Sequence, residues 1–372
     1  MSNTGKRERQ APAAGFQPAR YLIGLGMDGE KPDIMLLDSD SLPAIPARNV
    51  FTHDPGFPQE LVVNNPVRMA TASAPACVGN VAVGFDFLGH TIIGPEDRAT
   101  VRRIIEPVVR IKEIRGIAGT IPLSPEQNTA GAALISLRRS LALPFGFELK
   151  LDKGIPLASG MGGSAASCVA TLVAANAVLD TPVTREILYQ SALDGESLAS
   201  GARNGDNVGP MLYGGLVIAS LDRVIPVPTP PTLHCVLVHP DFEIETRYTR
   251  QLLKASYPLT DIVRQTTNLA MVLTGCFRND MSLIRAGLSD HLVEPRRAPL
   301  ILGFERIKHT ALNANALGVG ISGAGPSVFA WFATESEAKE AVEPMRRVFD
   351  DYGIASNAWV SPVAGPAAHI VE

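Results

Sequence analysis

A run of small residues between two regular elements does most to limit what this chain can fold into. Residues 154–166 read GIPLASGMGGSAA, with glycines at 160, 162 and 163 and a serine at 164. Phe147–Leu151, just before it, alternates like a half-buried strand, and the Ala-rich stretch from about Gly163 to Leu179 reads as a helix. Glycines let a backbone take unusual dihedrals and approach a ligand closely. The free N–H groups and the dipole of a helix start favour an anion there. The segment lacks the Gly-Lys-Ser/Thr ending of a Walker loop and the G-x-G-x-x-G dinucleotide spacing. On residue chemistry alone two readings stand: a tight strand–helix turn, or a phosphate site.

The 372 residues carry a formal net charge of −4. No basic excess points to nucleic acid, so anion binding has to come from a local site. Cys77, Cys168, Cys235 and Cys276 are scattered and form no C-x-x-C pair, which suits free thiols in a reducing compartment and a cytoplasmic enzyme. The opening MSNTGKRERQ is polar and basic with no apolar run behind it, unlike a secretion signal. The most apolar stretch, 165–179, is too short for a membrane span and is broken by Ser167, Thr171 and Asn176.

Composition divides the chain into residues 1–66, 67–228 and 229–372. Residues 1–20 read as disordered. Residues 21–66 are punctuated by Pro and Asp and leave open a hairpin, an arm or an upstream start-site extension. From Val67 the spacing predicts strands at 67–74, 99–105 and 108–114, the last two as a pair. Helices are predicted over 127–141 and from an N-capping Thr184 to about Ser200, and a strand at 214–220. The Pro-rich PVPTPPT, 226–232, marks the boundary between the halves. Beyond it come a strand at 233–239, helices near 259–275, 278–289 and 298–312, strands at 317–321 and 328–332, a helix over 335–350 and a last strand at 356–360. Segregated helices and strands suggest an α+β fold.

The loop resembles the P-x-x-x-G-L-G-S-S-A-A signature of the GHMP kinases, with Pro156, Gly160, Met161, Gly162, Gly163, Ser164, Ala165 and Ala166 in its places. Ala74–Gly89, APACVGNVAVGFDFLG, resembles the family's first motif, and Gly318–Ser327, GVGISGAGPS, its third. In this order the three motifs imply a two-domain fold. The N-terminal half, 67–228, would be an ATP-binding domain like a ribosomal-protein fold, and 229–372 a ferredoxin-like domain. Gly163 stands where the family usually has a serine, Gly79 where it has alanine, and Ala82 where it has glycine.

Within that family the homoserine kinases are the nearest pattern. Glu196–Asn207, ESLASGARNGDN, resembles their G-E-x-x-A-S-G-x-x-H-x-D-N segment, with Asn204 in place of the histidine. Thr246–Leu253, TRYTRQLL, and Glu294–Arg297, EPRR, resemble their T-x-x-A-R-x-x-L and E-P-x-R. The resemblance implies phosphorylation of homoserine by ATP, in threonine biosynthesis. It implies Asp86 on the substrate ammonium, Asn80 as a polar contact, and Arg250 and Arg297 on the carboxylate, where arginine's planar fork fits. Ser164 and Glu196 would hold Mg²⁺, loop N–H groups would carry triphosphate charge, and Asn128 would reach the nucleotide. Asn207 would orient the alcohol, with Asp206 the fallback general base. No nucleic acid and no membrane is implied as partner; a homodimer is. By their own chemistry Asp86, Arg250, Arg297, Asn80, Asn207 and Glu196 are each open to a plainer role in a turn, on a solvated face or in a loop. Another alcohol kinase of the family, acting on mevalonate or a sugar, and an inactive metabolite sensor remain alternatives.

Overall fold

The computed structural model describes residues 68–117, 121–253 and 256–371; the readings made for 1–66 lie outside them. The described chain opens with β1 (Met69–Gly79), buried at every residue from Ala72 onward. It runs past the expected end at Ala74, because a register shift between Pro75 and Cys77 accommodates a residue with no N–H. β2 (Leu88–Ile104) pairs antiparallel with β1. β3 (Val109–Gly116) does not pair with β2 as expected. After α1 (Thr129–Ser140), β4 (Gly146–Lys153) inserts between them, antiparallel to β2 and parallel to β3. Parallel neighbours need a crossover, and α1 is that crossover.

α2 (Gly163–Ala177) lies across β1 and β2, flanked by α1 and by α3 (Arg185–Ser200). Covered on all sides, it is buried at every residue from Ala165 to Asn176, which explains a sequence of Ala, Val and Leu rather than an amphipathic stripe. Thr184 precedes α3 in extended conformation, but its hydroxyl makes no capping bond to the helix backbone, contrary to expectation. The short α4 (Val208–Tyr213), not anticipated, leads to the hairpin β5 (Leu216–Ala219) and β6 (Val224–Val227), which pairs onto β2 at Leu88–His90.

The chain leaves this first sheet in the Pro-rich segment. β7 (His234–Pro240) begins a second sheet. Then come α5 (Thr246–Gln251), α6 (Leu259–Arg278), α7 (Met281–Gly287), α8 (Glu294–Arg297) and α9 (Phe304–Asn313). β8 (Gly318–Ile321), β9 (Val328–Phe332), α10 (Glu335–Asp350) and β10 (Ser356–Pro362) complete it. Its order β10-β7-β9-β8, all antiparallel and with helices before the second and fourth strands, is the ferredoxin-like arrangement. The helix expected from about 298 divides into a 3₁₀ turn, Ala298–Leu300, and α9, because Gly303 takes a left-handed conformation between them.

The strand near 356–360 is not the last. β11 (His369–Ile370) returns to the first sheet and pairs antiparallel with β1 at Ala72 and Ser73. The larger of the two apolar clusters among the described residues joins the layers, since Cys235, Leu237, Phe329 and Trp331 of the second sheet lie in it with β1, β2 and α2. There the buried Trp331 indole N–H donates to His90 Nε2 at 3.1 Å, and His90 Nδ1 lies 2.9 Å from the Thr91 carbonyl. Burial pushes the His90 pKa down to about 4, so the ring is neutral and accepts the indole proton. It is a core residue, outside the cleft. One face of α6 stays exposed and uncharged, at Leu259, Ile262, Val263 and Phe277.

Candidate active site

β4 ends at Lys153 and α2 starts at Gly163, so the glycine-rich segment is the turn that reverses the chain from strand to helix. Gly160 and Gly162 both adopt left-handed dihedrals, φ 78° and 72°. A Cβ on Gly160 would stand 2.4 Å from the Ser322 carbonyl oxygen, so glycine is required by the closeness of the 322–325 turn. The first intrahelical bond is donated by Ala166 to Gly162. The N–H groups of Gly163, Ser164 and Ala165 therefore have no acceptor inside the helix. Pro156, Gly160, Gly162, Gly163 and Ser164 line a cleft of about 440 Å³. Met161 and Ala165 do not: both side chains are fully buried. The Met161 N–H is taken by Ser159 Oγ and its carbonyl by the Cys77 N–H, so of this pair only the Ala165 N–H remains for a ligand.

Asn128 also lines the cleft, but its side chain is committed elsewhere. Oδ1 accepts from the N–H groups of Ala130 and Gly131, and Nδ2 donates to the Pro122 carbonyl. It is the N-cap of α1, so most of its hydrogen-bonding capacity is spent within the protein.

Beside the helix start the Ser164 hydroxyl lies 2.8 and 3.0 Å from the Glu196 carboxylate oxygens. Burial raises the Glu196 pKa to about 7, so at neutral pH a cation close by would favour its ionised form. Among the described residues no group of three or more His, Cys, Asp and Glu could hold a metal. One carboxylate and one hydroxyl nevertheless fit Mg²⁺, which takes oxygen ligands and is usually completed by phosphates and water.

At the other end of the cleft Asp86 receives Arg250 through two hydrogen bonds of 2.8 and 2.9 Å, and Asn204 Nδ2 at 3.1 Å. Asn204 thus supports Asp86. Arg297 is almost wholly buried and donates to the Gly323 carbonyl at 2.8 Å, while its Nε has no hydrogen-bond partner among the described residues. The Phe85 ring lies within 5.5 Å of both guanidinium carbons. Asn80 is in the cleft wall, but its amide braces the loop: Oδ1 accepts the Asp86 N–H and Nδ2 donates to Gly323 O. The Gly320–Ser327 turn packs on the phosphate loop, with Ser322 Oγ bonded to Gly160 O and Ser327 Oγ to Ser159 O, both at 2.7 Å.

Asp206 and Asn207 lie between the two ends. Burial, reinforced by the charge of Asp86, raises the Asp206 pKa to about 7. Asn207 Oδ1 accepts the Cys77 S–H at 3.0 Å. A Cβ on Gly79 would come within 2.6 Å of Asp206 Oδ2, so an alanine there would require the Asp206 carboxylate to shift. Sequence reasoning missed Lys153, which also lines the cleft. Its signal was available: Phe147, Leu149 and Leu151 face inward by alternation, and two residues further the same parity gives Lys153.

A glycine-lined helix start, a carboxylate–hydroxyl pair and a cationic end in one cleft, on these two sheets, define a GHMP-type small-molecule kinase. Residues 128–215 match the family model "GHMP kinases N terminal domain" and residues 272–351 match "GHMP kinases C terminal". A homoserine kinase of Xylella fastidiosa is 59% identical over 302 residues, covering 81% of this chain and 94% of that protein. One of Xanthomonas campestris is 58% identical over 305 residues, covering 82% and 95%. The crystal structure of homoserine kinase from Cytophaga hutchinsonii superposes with a TM-score of 0.80 at 37% identity, covering 84% of this chain and all of that one. The chain belongs to the homoserine kinase family.

Proposed function

We propose that this protein transfers the γ-phosphoryl group of ATP to the hydroxyl of L-homoserine, giving O-phospho-L-homoserine for threonine biosynthesis. One observation carries the reading: a single cleft joins the open start of α2 to Asp86, Arg250 and Arg297. The triphosphate meets the N–H groups of 163–165. The amino acid meets charges of both signs, its ammonium at Asp86 and its carboxylate at Arg250 and Arg297. Ser164 and Glu196 would hold Mg²⁺, which supplies charge neutralisation on the phosphates when bound. Asn207 orients the alcohol. Asp206, raised to about 7, suits the proton acceptor at neutral pH, a larger part than the fallback assigned from sequence. Transfer then rests on positioning and electrostatics, as phosphoryl transfer generally does. Residues 67–228 would form the ATP-binding half and 229–372 the half that closes the cleft, apart from β11, which pairs back onto the first sheet.

The four free, buried cysteines support a reducing, cytoplasmic setting. No helix among the described residues is long and apolar enough to cross a membrane. The uncharged exposed face of α6 supports a homodimer. An ADP-release assay with homoserine, mevalonate and galactose side by side tests the reaction. Turnover with homoserine alone is expected, and turnover with another alcohol in its place overturns the substrate assignment.

A further inference from the structure

Beneath the phosphate loop sits a buried polar cluster that the reaction as described does not use. Lys153, the last residue of β4, and Asp97, on β2, are 4% and 0% exposed. The Lys153 ammonium donates to Asp97 Oδ2, to the Gly163 carbonyl at 2.7 Å and to Ser167 Oγ at 2.7 Å, which occupies all three of its protons. Ser167 in turn donates to Asp97 Oδ2 at 2.8 Å. The other Asp97 oxygen accepts the N–H groups of Gly154 and Ile155, each at 3.1 Å.

We infer that Asp97, Lys153 and Ser167 are positioning residues for the phosphate loop, gripping it at both ends and so setting nucleotide affinity. Asp97 fixes Gly154 and Ile155, where the chain leaves β4. Lys153 fixes Gly163, the first residue of α2, ten positions further along the chain. The cluster holds the loop through backbone groups at its two ends, while the 320–327 turn and Cys77 hold its middle. As a stabilising device the pair has little to recommend it, because apolar residues of similar volume often serve a core as well as a buried ion pair. As a clamp on backbone groups it does what apolar residues cannot. Gly163 belongs to the same device: a Cβ there would lie 3.3 Å from Ile155 Cγ2 and 3.6 Å from Lys153 Nζ, in the space between the loop and its support.

The inference rests on the loop being the triphosphate site, so the test separates the two. Calorimetry of MgATP binding and steady-state kinetics are run on wild type, Ser167→Ala and Lys153→Met. Expected is a rise in the Kd and KM for ATP, about threefold in Ser167→Ala and about tenfold or more in Lys153→Met, with the KM for homoserine unchanged. Equal rises for both substrates, or unchanged ATP constants in folded variants, overturn it. Should Lys153→Met fail to fold, the double variant Asp97→Leu/Lys153→Met leaves no isolated buried charge, and the same ATP-only rise is required of it. Wild type that binds no MgATP overturns the phosphate-site reading itself.

Discussion

Asp86 and Arg250 hold each other in the cleft through two hydrogen bonds, so a molecule bearing both charges enters by exchanging partners with them. A ligand with one charge leaves the other residue unpaired in a half-buried site, which is costly. Arg250→Ala and Arg297→Ala are therefore expected to raise the KM for homoserine by about tenfold or more while the KM for ATP changes little, checked by initial rates with each substrate varied. At Asp206 the expected sign follows from its raised pKa. A proton acceptor must be ionised, so kcat/KM should climb through about pH 7. Asp206→Asn should lose that rise, and a wild-type profile flat from pH 6 to 8 would remove Asp206 from the role. Glu196 bears on stability. Its folded pKa of about 7 exceeds its ordinary 4.5, so between these values the native state keeps a proton the unfolded chain has released. Its contribution is fully present below about pH 4.5 and is lost as pH rises through about 7. Urea midpoints of Glu196→Gln should decline less over that range than those of wild type. Asp86, Glu196 and the two arginines were legible because family motifs fix their spacing. The commitment of Asn128 to a cap, of Asn80 to loop bracing and of Met161 to the core was not, since polarity and motif position do not reveal which way a side chain turns.

Elements were read well where one periodicity dominated and poorly where a few residues carried the structure. α10, β9 and β4 follow clear helical or strand spacing. α4 and α5 are six residues each, and α8 is four, too short for any periodic signal to emerge. The misplaced neighbour of β2 has a different cause. β2 and β3 look like a hairpin in sequence, and only the late arrival of β4 decides that they are separated. For α1 the structure gives a quantity to test. Asn128 accepts two N–H groups of the first turn, so Asn128→Ala should lower stability by about 1 kcal/mol, read from the urea midpoint at constant m. A loss below a few tenths would mean that water replaces the cap.

Across the whole molecule the two sheets share one apolar cluster and are bridged by the Trp331–His90 hydrogen bond. Residues 68–371 are accordingly expected to unfold in one transition, with tryptophan fluorescence and far-UV circular dichroism coinciding. Trp331→Phe leaves His90 Nε2 buried without a donor and should cost about 1–3 kcal/mol or more. Two separate transitions would show that the halves are independent. Expectations for the two-layer architecture held because each half carries its own pattern of strands and helices. The return of β11 was not foreseen, because two paired residues leave almost no pattern to read. That short strand has a consequence for biogenesis. It is the last described element to leave the ribosome, yet its partner β1 is the first. A nascent chain must keep one border of that sheet unmatched until residue 370 has been made, so the sheet is completed only after its other strands have been synthesised.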